Sequence, residues 1–187
     1  MIHHDITDYL EALFNIQRGE QRKLASELGL QQIHLQILYY LERCNRYSDS
    51  LLVLTEFLGQ TKGTVSTSVA LLVKKGYLIK QPDPVDKRKS HLQLTPTGKD
   101  AAARQSALWQ AGQTLLGESQ SEQVRQALDI LLRQLQQANG HKVFGACHSC
   151  QHLCCNEDGH HCGLTNEALS SAELQQICVY HQEFCND

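Results

Sequence analysis

The sequence predicts a mainly α fold with one small β-hairpin and a separate cysteine-rich tail. Three observations carry that prediction. Apolar residues recur at helical spacing between positions 5 and 75 and again between 97 and 138. One stretch alone, YLIKQPDPVDKRKSHLQLT at 77–95, reads as two strands around a polar tip. Seven of the eight cysteines fall at or after position 147.

The 187 residues leave room for one domain of ordinary size plus a small appendage, set here as 1–140 and 141–187. With 41% hydrophobic and 20% charged residues the chain is globular, and with only 6% aromatics its core must be aliphatic. The N-terminal MIHHDITDYLEALFNIQ lacks a basic stretch followed by an apolar run, so no secretory signal is expected. No stretch approaches the roughly eighteen apolar residues of a membrane span, so a cytoplasmic protein without a membrane partner is expected. Residues 60–99 hold eight Lys and Arg against two acids, whereas residues 143–187 hold six acids and no Lys or Arg. The first segment suits a polyanion and the tail does not.

Ile6, Leu10, Leu13, Phe14, Leu24 and Leu28 mark a first helix, which Gly29 stops. A second runs over about 31–44, with Ile33, Ile37, Leu38 and Leu41 on one side and the lone Cys44, read as a small buried hydrophobe, near its end. A third covers 51–58 and closes at Gly59. After a short turn Thr61 caps a fourth, whose stripe is Val65, Val69, Leu72 and Val73, ending at Gly76. Two short helices joined by a tight turn make a helix-turn-helix. Strands at 77–80 and 91–95 with a Pro, Asp, Lys and Arg tip between them then complete a winged helix. Beyond LTPTGK, helices are expected over 97–116 and 121–138, with Pro96 in the first turn and Val124, Leu128, Leu131, Leu132 and Leu135 as a stripe.

The stretch LGQTKGTVSTSVALLVKKGYLIKQPDPVDKRKSHLQLTPTGK, residues 58–99, resembles the DNA-binding core of the MarR family. The likeness rests on the LG turn, the T-V-S recognition helix, K-K-G-Y-L-I entering the wing, D-P-x-D-x-R at its tip and L-T-x-x-G closing it. It extends in helix order over about 5–140 and leaves the tail uncovered. On the fourth helix Lys62, Gly63, Ser66, Thr67 and Ala70 lie opposite the apolar stripe, on the arc that would enter a major groove. Thr64, near the helix start, is expected to meet a phosphate through its amide and hydroxyl. The resemblance places DNA contacts on the same arc and implies that Arg88 reaches the minor groove. Asp86 would orient Arg88, with Lys87 and Lys89 beside it. Many relatives carry arginine where this chain has Thr67, so readout is expected to lean on groove shape and the wing. The family builds its dimer from N- and C-terminal helices, so a homodimer reading paired half-sites on double-stranded DNA is expected.

The tail reads ACHSCQHLCCNEDGHHCGL at 146–164, after an expected linker NGHKVFGA. In a reducing compartment such a cluster points to metal or redox chemistry rather than to disulfides. Cys147 and Cys150 form a CxxC, Cys162 follows, and Cys178 comes after an expected short helix within TNEALSSAELQQIC, capped by Ser170 or Ser171. These four are the expected ligands of one all-thiolate site. The adjacent Cys154 and Cys155 cannot easily both face one ion, and Cys185 is a spare or resolving thiol. One CxxC with two distant single cysteines favours an iron–sulfur cluster, with zinc as the alternative and thiol-only sensing or another soft metal behind it. His148, His152, His160, His161 and His181 are read as solvated or supporting residues.

The expected function is a DNA-binding transcriptional regulator, a repressor, tuned by that centre to redox, iron or metal status. Occupancy is expected to fold the tail and dock it against the dimer helices. The alternative is a regulator answering a small aromatic ligand, as the resemblance allows, with a structural zinc tail that docks a protein partner. No Ser/His/Asp constellation or carboxylate pair stands out, so an enzyme is not expected.

Overall fold

The computed structural model describes residues 5–84, 86–138, 144–156 and 159–182, with the Leu108 side chain outside that description. The first helix, α1 (Ile6–Leu28), starts at a reciprocal cap in which Asp5 and Asp8 each accept the other's backbone N–H, and it stops at left-handed Gly29. Helix α2 (Gln32–Arg43) supplies Leu35, Ile37, Leu38 and Tyr40 to the core, all buried. Helix α3 (Leu51–Leu58) is capped by Ser50 and ends at left-handed Gly59. Helix α4 (Lys62–Lys74) is capped by Thr61. Val65, Val69 and Leu72 are buried as the stripe predicts, but Val73 is 38% exposed. At 3.6 residues per turn it lies about 80° round the axis from Val65, on the helix flank.

Strands β1 (Leu78–Pro82) and β2 (Ser90–Leu94) pair antiparallel, with Leu78 opposite Leu94 and Pro82 opposite Ser90. The ladder thus reaches further toward the wing tip than the expected strands. It closes where Thr95 donates its backbone N–H to the Tyr77 carbonyl, and the next turn leaves no room there: a Cβ on Gly98 would stand 2.2 Å from that oxygen. The final G of the L-T-x-x-G motif is therefore a packing requirement. The long helical run α5 (Pro96–Ala138) breaks at Gly117, φ 74° and ψ 170°, which divides it much as the two expected helices divide.

One core gathers α2, α3, α4, β1, β2 and the start of α5. Outside it, α1 leaves Ile6, Tyr9, Phe14 and Ile16 exposed, and α5 leaves Leu115, Val124, Leu128, Ile130, Leu132 and Leu135 exposed. No helix among the described residues is long and apolar enough to cross a membrane.

The tail is built from short strands. β3 (Gly145–Ala146) pairs with β7 (Ile177–Cys178), and β4 (Leu153–Asn156), β5 (Gly159–Cys162) and β6 (Glu167–Leu169) form an antiparallel sheet in that order. Two expectations are corrected. The end of the supposed linker is strand β3, with Phe144 edge-on to Phe57 of α3 at 5.1 Å, while residues 139–143 lie outside the description. The supposed helix before Cys178 is β6 followed by a single 3₁₀ turn, Glu173–Gln175. Pairing of Glu167 with Cys162 takes its first half into the sheet, and Ser170 and Glu173 cap each other across what remains.

The tail packs on the winged helix. Ile177 bridges to Cys44, its carbonyl accepts the Asn45 N–H at 2.9 Å, and Val179 is buried in the main core. Arg46 pairs with Glu167 at 2.6 Å and Glu173 at 3.2 Å. These bonds join the tail to the loop between α2 and α3, and Gly145, His148, Ser149 and His181 also line a cavity with Arg125, Asp129, Leu132 and Arg133 of α5.

Candidate nucleic-acid interface and thiol pocket

Helix α4 presents Lys62, Gly63, Thr64, Ser66, Thr67 and Ala70 to solvent, the whole expected arc. One part of the expectation is corrected. The Thr64 amide already donates to Thr61 Oγ1 at 3.2 Å as the helix cap, and the Thr64 hydroxyl lies 2.8 Å from the same oxygen, so both groups are engaged within the cap. At the wing, Asp83 accepts the Asp86 N–H at 2.7 Å, and Lys89 N–H donates to the Asp86 carbonyl at 2.8 Å. That turn projects Lys87, Arg88 and Lys89 outward, and Asp86 Oδ1 holds the Arg88 Nε at 3.3 Å as expected. Val85 lies outside the described residues. The Arg88 side chain is 92% exposed, so the rest of its guanidinium remains open to a polyanion.

Sequence reasoning missed what anchors the wing. His91 Nδ1 lies 2.6 Å from Asp49 Oδ1 and Nε2 lies 2.9 Å from Asp83 Oδ2, so the ring links the α2–α3 loop, β2 and the wing turn. Hydrogen bonds to Asp83 and then to Asp49 raise the His91 pKa above its usual range. No local pattern marks three such residues spread over positions 49–91.

In the tail, Cys147, Cys150, Cys162 and Cys178, the four expected ligands, line one small pocket. Leu153, Leu164 and Leu169 wall it, and the rings of Tyr47 and Tyr180, 6.2 Å apart, contribute to the lining. The interior is about 20 Å³, room for about one water-sized sphere. Each of the four cysteines opens a backbone turn: its carbonyl accepts from Cys150, Leu153, Asn166 and His181 respectively. Four turns bring four short side chains to one space from separate points of the chain. Among the described residues no three Cys, His, Asp or Glu side chains are already drawn together as an ion would hold them. The thiols face a shared space, not yet a shared point.

Cys147 and Cys178 share a thiol–thiol hydrogen bond. That bond lowers the Cys178 pKa against burial and, together with burial, raises that of Cys147. The Asn45 carboxamide lies alongside, Nδ2 3.9 Å from Cys147 Sγ. Cys154 and Cys155 point to opposite faces of β4, half-buried and exposed, so they do not share an inward position. Cys185 lies outside the described residues. Cys44 is buried, and desolvation pushes its pKa up to about 12, which suits an inert core thiol.

His152 is the histidine that lines the thiol pocket. His148 bonds the Leu174 carbonyl, and His160 is exposed. Buried His181 bonds Ser149, and its ring fills the space beside Gly145, where a Cβ would stand 2.5 Å away.

A helix-turn-helix followed directly by a two-stranded wing with a cationic tip defines a winged-helix protein. The MarR family model matches residues 28–89, within this winged-helix region; the cysteine-rich tail lies outside the match. Among solved structures, a mutant of MepR from a multidrug-resistant S. aureus clinical isolate is similar at TM-score 0.60 and 20% identity, over 72% of this chain and 100% of that one. A MarR transcriptional regulator from Methanosarcina mazei Go1 is similar at 0.57 and 20%, over 71% and 97%. The S. aureus MepR–DNA complex is similar at 0.53 and 21%, over 71% and 100%. The comparison with curated proteins gives no match.

Proposed function

We propose that this chain is a dimeric, sequence-specific DNA-binding transcriptional repressor, acting in the cytoplasm, whose operator affinity is tuned by a cysteine-ligated centre at Cys147, Cys150, Cys162 and Cys178. The observation that carries the reading is the convergence of those four cysteines on one pocket bonded to the loop that leads into the helix-turn-helix.

DNA binding is supported by the exposed arc of α4, the exposed Arg88 at the wing and the concentration of cations in residues 60–99. The MepR–DNA complex has the same fold, which adds to that support. The apolar faces on α1 and α5 supply what a second copy would cover, and a two-fold protein reads two half-sites about one helical turn apart. Each DNA contact made by Lys or Arg releases counterions, so affinity for a genomic fragment must fall steeply with salt. A flat salt response would overturn the DNA-binding reading.

The donor set fits the proposed centre: four cysteines, three of them buried, in apolar walls with an amide donor beside them. Four thiolates suit an iron–sulfur cluster, whose presence would report iron or redox status. Binding would draw the four turns together and order the tail, since such a site rarely exists before its ion arrives. Anaerobic purification with metal analysis and a visible spectrum tests this. Brown protein with iron and sulfide supports a cluster, colourless protein with zinc a mononuclear site, and protein without metal overturns the centre.

Two observations favour a second reading. The Cys147–Cys178 contact and the small interior suit a single tetrahedral zinc, which holds sulfurs closer together than a cubane does. A cavity of about 320 Å³ between α1 and α5, lined by Leu24, Ala107 and Trp109 with Lys23 and Arg104, would then receive a small aromatic ligand. In that reading the zinc tail is structural and docks a protein partner.

A further inference from the structure

Beyond the last ladder pair, Pro82 opposite Ser90, the wing turn carries Lys87, Arg88 and Lys89. Asp83 organises that turn. Its Oδ1 accepts the Asp86 N–H at 2.7 Å, and its own N–H donates to the Lys89 carbonyl at 3.2 Å. Asp86 Oδ1 in turn accepts the Arg88 N–H at 3.1 Å and its Nε at 3.3 Å. The second oxygen of Asp83 meets His91 Nε2 at 2.9 Å, back on strand β2.

The far side of the ring is fixed independently. Nδ1 meets Asp49 Oδ1 at 2.6 Å, and the Asp49 carbonyl accepts the Leu92 N–H at 2.9 Å. Ser50, which caps α3, bridges to His91 itself. A run of side chains, Asp49, His91, Asp83, Asp86 and Arg88, therefore leads from the start of the helix-turn-helix to the cation at the wing tip. His91 is the member of that run whose type changes charge near neutral pH.

The charges facing the ring are two carboxylates, Asp49 from the loop and Asp83 from the turn. Gln81 opposite on β1, Ser50 at the start of α3, and Ala101 and Ala102 where α5 enters the core carry none. Behind Asp49, Tyr40 of α2 and Cys44 keep their protons, because burial raises the pKa of both. With a proton on each nitrogen the ring donates to both carboxylates and offsets one of their charges. Without the second proton, a lone pair faces a carboxylate oxygen, and two like charges confront each other across a neutral ring. Asp49 is anchored to β2 through its backbone, so the turn is the part that gives way.

We propose that His91 is a positioning residue for DNA binding: its imidazolium ties the wing turn to the helix-turn-helix in the posture that presents Arg88, so affinity for duplex DNA falls as the solution turns alkaline. The inference rests on the DNA-binding reading above. Hydrogen bonds to Asp83 and Asp49 raise the His91 pKa, which places the change above the ordinary 6.5. Below the raised value the ring is charged and the wing is tied. Above it the competent fraction falls, and the apparent affinity falls with it. His91 acts through Asp83 and Arg88, not through a DNA contact of its own.

The test uses the 187-residue chain as wild type, His91→Asn and Asp83→Asn, each titrated with a genomic fragment at pH 6 and pH 8.5 at one salt concentration. Asp83→Asn keeps an oxygen for the Asp86 N–H and offers an amide N–H to the lone pair of a neutral imidazole, so it ties the wing without the second ring proton. The ratio of affinities at pH 6 and pH 8.5 is expected to be at least about three-fold larger in wild type than in either variant. The other histidines titrate in all three proteins, so their share cancels in that comparison. Removing the Asp83 charge acts at both pH values alike, which makes the ratio, not the absolute affinity, the readout. Ring nitrogen shifts of His91 in wild type should show both nitrogens protonated at pH 6 and a midpoint displaced upward when DNA is added. An equal ratio in wild type and His91→Asn overturns the proposal, as does a midpoint that DNA leaves unmoved. If His91→Asn does not fold, the wild-type ratio persisting in Asp83→Asn overturns it as well. No binding at either pH, or binding indifferent to salt, fails the DNA-binding reading itself and the proposal with it.

Discussion

Replacing His91 with asparagine tests how the wing is held. Bonds to both Asp49 and Asp83 need a proton on each ring nitrogen, which only the imidazolium supplies. Because these carboxylates raise the folded pKa above the ordinary 6.5, the stabilisation is fully present below about pH 6.5 and is lost as pH rises through the folded value. At the acid end burial raises the Asp49 pKa, so protonation of that carboxylate closes the window from below. Hydrogen bonds to charged groups contribute about 1.5–3 kcal/mol each in an interior. The His91 side chain is 29% exposed and its partners 15% and 21%, so after screening the two bonds together contribute about 1–2 kcal/mol. Urea denaturation of wild type and His91→Asn at pH 6 and pH 8.5 measures this. Taking the difference between the proteins cancels most of the titration of the other histidines. Wild type should lead by about 1–2 kcal/mol at pH 6, and the lead should shrink by half or more at pH 8.5. An equal difference at both pH values would refute the clamp.

Three further outcomes follow from the same geometry. Gly98→Ala sets a Cβ 2.2 Å from the Tyr77 carbonyl and 3.0 Å from Leu94, so the denaturation midpoint should fall by the equivalent of about 1–3 kcal/mol or more; an unchanged midpoint contradicts the close approach. Arg88→Ala should weaken binding to all DNA fragments and lower the magnitude of the log–log salt slope by about one, and an unaltered slope removes Arg88 from the interface. Leu128→Glu with Leu132→Glu puts carboxylates on the exposed α5 face, so sedimentation at micromolar concentration should shift from dimer to monomer; a monomeric wild type contradicts the proposed assembly.

What was legible in the sequence follows how local each signal is. Thr61 and Gly59 mark the helix-turn-helix because a cap and a left-handed stop are decided by neighbouring residues. Gly117 likewise announces the break in α5. The apolar faces of α1 and α5 were legible as periodicity, but the same periodicity serves a core or a partner. In the tail, cysteine spacing selected the four residues that share the pocket, yet the strands went unseen. Each is two to four residues long, and β3 finds its partner β7 some thirty residues away. The Asp158–Gly159 pair before His160 was a hairpin signal. Asn45 had no sequence signature, because its place beside the pocket depends on which loop meets which turn.

The most direct test is the DNA affinity of the 187-residue chain with its tail centre loaded and stripped, in wild type and in Cys162→Ser. Wild type should take up one centre per chain and change its affinity for the genomic fragment by at least about five-fold between the two states. Cys162→Ser should fail to hold the centre and show one fixed affinity. Equal affinities for loaded and stripped wild type would contradict the claim that this pocket governs DNA binding.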